Sequence, residues 1–195
     1  AVAIAEHLAG AEEAFVKLMN ARADELGLQN THYVNCTGLP APDHYTTARD
    51  VAKLSAQLDL HPLYYRYSTI WMDEIRHRGG RVTALTNTNR LVRFYPGCDG
   101  YKTGSTNEAR YCISATAKKD GMRLIAVVLG TPAGQTRFDE ARAMLEYGFA
   151  NVKLTTPIAQ GQPLDMTVPV RLGGRDQVSV VSGGTCSLLE RRGEK

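Results

Sequence analysis

The stretch RYCISATAKKDGMRLIAVVLG, residues 110–130, constrains the fold more than any other part of the chain. Two β-rich runs flank Asp120-Gly121, a dipeptide suited to the positive φ angles of a two-residue hairpin turn. The pattern therefore predicts two antiparallel strands. GCDGYKTGST, residues 97–106, lies just before them and predicts a third strand, with Thr106 to Ala109 as the turn between. Lys102 is then carried on an antiparallel sheet. STIWMDEIRHRGGRVTALTN, from residue 68, predicts two more strands around Gly79-Gly80.

The remaining chain is mostly helical before this region and β-like after it. Residues 1–27 predict helix, with Ile4 and Leu8 on one face and Phe15, Leu18, Met19 and Leu26 continuing at helical spacing. Gly10 divides this stretch in two, and Gly27 suits a stop. Residues 28–45 predict a loop, punctuated by Asn30, Asn35, Gly38, Pro40 and Pro42. Thr47 and Asp50 have capping-box spacing before the stripe Val51, Leu54, Leu58, and His61-Pro62 ends that helix. A last helix is expected over Thr136 to Tyr147, with Thr136 and Asp139 at capping-box spacing and Gly148 closing it. After Asn151, QPLDMTVPVRLGG, DQVSVVSGG and TCSLLE predict the start of a separate small β domain.

Composition excludes little. The 195 residues are 43% hydrophobic and 22% charged, as in an ordinary globular protein, and no low-complexity run argues for disorder. A net charge of +3 is too weak by itself to argue for nucleic acid, and suits an anionic cell-surface polymer equally well. No apolar stretch approaches the roughly 20 residues of a membrane span. The chain starts without Met, in mid-helix, and ends on RRGEK, so it reads as a segment of a longer precursor. Cys36, Cys98, Cys112 and Cys186 form no CxxC pair and no ligand spacing with His, and read as scattered buried thiols. His7, His32, His44, His61 and His77 form no HExxH, so neither metal nor cofactor is expected.

Three readings compete for GCDGYKTGST. A phosphate cradle needs glycine directly before the lysine and a helix after it. Tyr101 fills that place, and a strand follows. A plain polar hairpin edge with a solvated lysine fits, and on three letters alone it is the stronger reading. The third reading rests on chemistry. A peptide ending in a carboxylate would meet a positive charge at Lys102 and a hydroxyl at Thr103, while Gly104 keeps the edge bare for close approach. An exposed strand edge could pair with such a peptide as an added strand. Ser105 and Thr106 extend the polar wall. Nearby, Asn87 and Asn89 are candidates for supporting or contacting roles, and Asp99 could pair with a cation. RHRGGR, residues 76–81, reads as a solvated hairpin tip, with contact to an acidic polymer as the minor alternative. Trp71 reads as a packing residue.

K-T-G is one of three motifs of serine penicillin-binding proteins and class A β-lactamases, the others being S-x-x-K and S-x-N. Beyond the motif, nearly the whole chain resembles the low-molecular-weight penicillin-binding proteins, the D-alanyl-D-alanine carboxypeptidases of serine peptidase family S11. The most specific segment is TNTNRLVRFYPGCDGYKTGSTNEARYCISATAKKDGMRLIAVVLG, similar to the family's K-T-G strand and the two after it. AEEAFVKLMNARADELGLQNTHYVNCTGL resembles the stretch after S-x-N, HYTTARDVAKLS the next helix and RFDEARAMLEYGFANV the closing helix. TPIAQGQPLDMTVPVRLGGRDQVSVV resembles the opening of the family's C-terminal β domain.

The resemblance implies an α/β (α+β) fold, with an antiparallel sheet flanked by helices as in penicillin-binding proteins and β-lactamases. It implies that residues 1–150 are the C-terminal part of a transpeptidase-like domain and 151–195 the start of a β-rich one. It implies acyl transfer through a serine, with removal of the terminal D-alanine of peptidoglycan stem peptides, inhibition by β-lactam antibiotics and a location outside the cytoplasmic membrane. Substrate contacts would fall on Lys102, Thr103, Gly104 and Ser105, with Asn87, Asn89 and Thr106 behind them. The chain itself contains no S-x-x-K, and its one S-x-N tripeptide, Ser105-Thr106-Asn107, belongs to the K-T-G strand itself, so the nucleophile, the base and the second serine are expected upstream. The polypeptide alone is expected to be inactive. Nicking, a separate N-terminal chain as partner, and truncation stay open. So do membrane anchoring and two other functions on the same fold, a β-lactamase and a non-catalytic wall-binding protein.

Overall fold

The computed structural model describes residues 1–193 and divides into two compact units. The first is Ala1–Lys119 with Arg123–Tyr147; the second is Asp120–Met122 with the chain from Gly148 onward.

In the first unit, α1 (Val2–Ala9) ends at Gly10, whose φ of 81° lies in the left-handed region open to glycine. Helix α2 (Glu12–Glu25) follows. The expected apolar stripe on these helices points inward only in part, with Phe15, Met19 and Leu26 half-buried. Ile4, Leu8 and Leu18 are exposed, whereas Ala5, Val16 and Ala23 are buried. Small residues face the rest of the unit because they allow close approach. Phe15, Leu18 and Met19 line an open apolar groove with Leu28 and Leu54.

Helix α3 (Ala48–Leu58) begins as its spacing predicts, with the Thr47 hydroxyl accepting the Asp50 N–H at 3.2 Å. The Asp50 side chain does not complete the box. Its carboxylate, buried, accepts from the Asn30 N–H at 2.8 Å and the Thr31 hydroxyl at 3.0 Å, tying the preceding loop to the helix. Two short helices went unforeseen, α4 (Leu63–Ser68) and, further on, α5 (Leu91–Phe94). With six and four residues, neither is long enough to show a helical period. Between them, β1 (Met72–Arg76) and β2 (Val82–Thr86) form an exposed antiparallel hairpin around Gly79-Gly80.

The central sheet is β3 (Cys98–Thr106), β4 (Arg110–Lys119) and β5 (Met122–Thr131), in that order. Asp120 and Gly121 turn between the last two with φ of 50° and 77°, as the Asp-Gly signal predicts. Strand β4 is the core strand, with Ile113 to Ala117 all buried. Helix α3 packs against β4, where the Ser55 and Ser114 hydroxyls meet at 2.7 Å. Helix α6 (Thr136–Asn151) buries Phe138, Ala141 and Leu145. It differs from expectation at both ends. Gly148 does not close it, because an internal glycine weakens a helix by only about 1 kcal/mol and here the helix runs on for three more residues. At the start, the Gln135 amide rather than a Thr136 cap reaches the Asp139 carboxylate, at 2.9 Å.

The second unit carries four strands. β6 (Val152–Ile158) pairs with β9 (Cys186–Arg191), and β7 (Pro163–Pro169) with β8 (Gln177–Val181), both antiparallel. The four cysteines are free thiols, and the expectation that all are buried holds only for Cys98. Cys36 and Cys112 are half-buried, and Cys186 is exposed on β9. No helix among the described residues is long and apolar enough to cross a membrane.

Candidate functional site

Strand β3 forms one edge of its sheet, so one side of its backbone is free of a partner strand among the described residues. Its pairing with β4 sets Lys102 opposite Ser114, Thr103 opposite Ile113, Gly104 opposite Cys112 and Ser105 opposite Tyr111. The strand changes character along its length. Cys98, Gly100 and Tyr101 are buried, while Lys102, Gly104 and Ser105 are exposed. Helices α4 and α5 both pack on β3 and account for the covered end. A Cβ at Gly100 would lie 3.3 Å from Tyr64 and 3.3 Å from Thr116, so glycine is needed there for packing.

Gly104 is different. A Cβ there would meet nothing within 4 Å, so no contact among the described residues explains the missing side chain. Beside it, Lys102 turns its ammonium onto the Thr103 carbonyl at 2.7 Å and stays exposed. Thr103 is only 8% exposed, and its hydroxyl donates to Thr88 at 2.8 Å. The Thr103 proton is thus engaged, and the exposed hydroxyl-bearing residue beside the motif is Ser105. Thr106 closes the turn by accepting the Ala109 N–H at 3.0 Å.

Asn87, Thr88 and Asn89 form a bracket behind this strand. Asn89, 1% exposed, donates to the Gly100 carbonyl at 3.0 Å and accepts the Leu91 N–H at 3.1 Å. Asn87 accepts the Asn89 N–H and donates to the carbonyls of Ser68 and Ile70. Asn89 therefore holds the backbone of β3 itself, Asn87 ties Asn89 to the segment between α4 and β1, and Thr88 holds the Thr103 hydroxyl.

Two arginines join the site without any signal in the sequence, since each lies far from the motif in the chain. Arg137, in the first turn of α6, donates to the Gly104 carbonyl at 3.1 Å and the Cys112 carbonyl at 3.3 Å. It lies over the Tyr111 and Phe138 rings, its Nε is buried without a partner, and burial lowers its pKa. Arg123, on β5, grips Asp99 with two bonds of 2.7 and 2.9 Å and stands 3.5 Å from Asp59. The Tyr65 and Tyr101 hydroxyls both donate to Asp59. Tyr101 directly precedes Lys102, so this network anchors the buried end of the motif strand.

Burial, then the bond to Asp59, pushes the Tyr65 phenol up to about 12. A raised pKa in the folded state means stability that is complete below the free phenol's value of about 10 and is lost as pH rises toward 12. Stability measured by denaturant melts should therefore decline over that interval, and decline less steeply in Tyr65→Phe. Equal slopes would show that the phenol is not coupled to folding. Among the described residues, no three His, Cys, Asp or Glu side chains converge in a way that could hold a metal ion.

Comparison with known proteins follows this geometry. Residues 1–133 match the family described as peptidase S11, D-alanyl-D-alanine carboxypeptidase. D-alanyl-D-alanine carboxypeptidase DacF of Bacillus subtilis is 39% identical over 193 residues, 99% of this chain and 49% of the relative. DacC of Escherichia coli is 36% identical over 194 residues, 99% of this chain and 47% of the relative. The chain thus spans about half the length of the curated relatives it matches. Among solved structures, PBP3 of Streptococcus pneumoniae superposes with a TM-score of 0.82 at 28% identity, over 100% of this chain and 59% of that one. Penicillin-binding protein 5 of Haemophilus influenzae gives 0.78 at 30% identity, over 98% and 55%.

Proposed function

The chain belongs to the D-alanyl-D-alanine carboxypeptidase family, peptidase S11, and from that premise we propose that it supplies the K-T-G wall of a penicillin-sensitive serine carboxypeptidase. The observation that carries this reading is the open β3 edge at Lys102–Ser105, with a glycine at position 104 that no contact among the described residues requires. A bare edge next to an exposed ammonium suits a peptide strand that ends in a carboxylate.

Residues 1–150 are then the C-terminal part of the transpeptidase-like domain, and 151–195 open a β-rich domain. Lys102 attracts the terminal carboxylate, Ser105 offers it a hydroxyl, and Gly104 lets the substrate backbone close on the strand. Thr103, Asn87, Asn89 and Thr106 hold that strand in shape. Arg137 fixes the Gly104 carbonyl and adds positive charge beside the edge. The nucleophilic serine, its lysine base and the second serine lie outside these residues. The serine oxygen attacks the carbonyl carbon between the two D-alanines. The amide C–N bond breaks, the leaving amine takes a proton, and D-alanine departs. Water then hydrolyses the ester. Peptidoglycan stem peptides are the substrate, β-lactams acylate the same serine, and the protein works outside the cytoplasmic membrane.

The test is denaturing mass spectrometry of the full-length protein, and of residues 1–195 alone, after incubation with penicillin. The full-length protein should gain one penicillin mass, and the 21.3 kDa chain none. An adduct on residues 1–195 would overturn the placement of the nucleophile, and no adduct on the full-length protein would overturn the function.

A further inference from the structure

Among the described residues, the open part of β3 leaves one direction in which a bound peptide can continue. Toward Cys98 the strand is covered, with Gly100 against Tyr64 and both α4 and α5 packed on it. Toward Thr106 it stays open and leads to the β3–β4 turn. A peptide with its carboxylate near Lys102 and Thr103 must therefore run antiparallel to β3, its N-terminal side passing Thr106. At about 3.4 Å per residue, the third residue from its C-terminus lies two residues, about 7 Å, beyond the first, which brings it to Ser105 and the adjoining Thr106.

A cleft of about 580 Å³ opens at that point, between Pro40, Pro42 and His44 on one side and Thr106, Glu108 and Ala109 on the other. Its walls are mixed in character, and its one ionised side chain is Glu108, which is exposed. Among the described residues Glu108 makes no hydrogen bond or ion pair that would occupy its carboxylate. The facing His44 does not offset that charge. Its Nδ1 accepts the Val34 N–H at 3.1 Å, and burial, then the neighbouring His32, keeps its pKa below the ordinary value.

We propose that this cleft is a specificity subsite for the residue preceding the acyl D-alanine, and that Glu108 selects a side chain ending in a free amine. The inference rests on the carboxypeptidase reading and deepens it, since the carboxylate end of the substrate sets the direction of the chain. An apolar stem would lie along Pro40 and Pro42, and the ammonium would reach the Glu108 carboxylate. Arg110 lines the neighbouring cavity with Ser105 and Tyr111, so the two clefts beside the turn differ in charge.

The experiment measures D-alanine release by the full-length protein from two peptides, Nα-acetyl-L-Lys-D-Ala-D-Ala and its Nα,Nε-diacetyl form. They differ only in the side-chain amine. The free amine should give a kcat/KM about fivefold higher, the scale of a solvent-exposed ion pair. That ratio should fall to about 1 in Glu108→Gln, and below 1 in Glu108→Lys. It should also shrink in 0.5 M salt, where exposed charges are screened. Release from both peptides at equal rates, or a preference that persists in Glu108→Gln, would overturn the subsite. Release from neither peptide would overturn the carboxypeptidase reading, and the subsite with it.

Discussion

Replacing Lys102 with alanine should slow acylation of the full-length protein by penicillin about 100-fold while leaving its thermal midpoint nearly unchanged. The two halves of this expectation have different sources. Lys102 is exposed, and its one bond within the chain is to the carbonyl of the next residue. Surface substitutions of that kind usually move stability by no more than about 0.5 kcal/mol. A carboxylate arriving at the β3 edge, by contrast, forms a charge-assisted bond worth about 1.5–3 kcal/mol, and each 1.36 kcal/mol of barrier is about tenfold in rate. Lys102→Arg keeps the charge but not the compact ammonium, and should fall between the two. Stopped-flow acylation with a chromogenic cephalosporin would measure all three. If Lys102→Ala acylates within twofold of the parent, the lysine is a solvated strand residue and the K-T-G reading loses its charge.

The main architecture was legible because local chemistry and tertiary structure agree in most of the chain. Asp120-Gly121 dictates its hairpin, Thr47 caps α3, and Gly10 separates α1 from α2. The strand bearing Lys102 followed from the same hairpin, and Lys102 is exposed on it. Elsewhere, sequence spacing had too little to work with. The short helices α4 and α5 show no period, yet they decide which end of β3 is covered. Gly148 was read as a stop, but a glycine ends a helix only where the chain also leaves helical geometry. On α1 and α2 the large apolar residues lined up as a core face, but the buried face is made of alanines and one valine. Within the site, Arg123 and Arg137 come from β5 and α6. Arg123 reaches Asp99 across 24 residues and Arg137 reaches Gly104 across 33, and local patterns carry no trace of either bond.

Thr103 shows how structure changes a role that the motif alone suggests. The motif offers its hydroxyl to the substrate, whereas the fold gives the hydroxyl proton to Thr88. The bracket Asn87-Thr88-Asn89 therefore serves the motif strand as a template. The exposed members of the strand are the lysine, the glycine and Ser105, and under the proposed function these are the ones that meet a ligand. Rigid backing with an open front suits electrostatic recognition, because donors held in place need no reorganisation when charge arrives.

Removing the Arg123 side chain should have the largest effect on stability of any single change in this network. Its guanidinium makes a two-bond fork to Asp99, a 3.0 Å bond to Thr116 and a 4.4 Å stacking contact with the Tyr65 ring. Arg123 and Asp99 are 20% and 22% exposed, so the pair is partly shielded from water. Arg123→Met keeps the aliphatic stem but leaves Asp99 and Asp59 without their cation. A fully buried pair broken this way costs about 3–5 kcal/mol, and partial exposure reduces that to about 2 kcal/mol. Arg123→Lys should recover less than half, because an ammonium cannot bond both carboxylate oxygens in the same fork. Asp99→Asn removes the facing charge, so the double variant Arg123→Met, Asp99→Asn should be clearly less destabilised than the sum of its parts. Denaturant melts of the four proteins decide the matter. Additive losses would mean that Arg123 acts through packing on Tyr65 alone. A shortfall of about 1 kcal/mol or more would identify the arginine–aspartate pair as the clamp on the strand that carries Lys102.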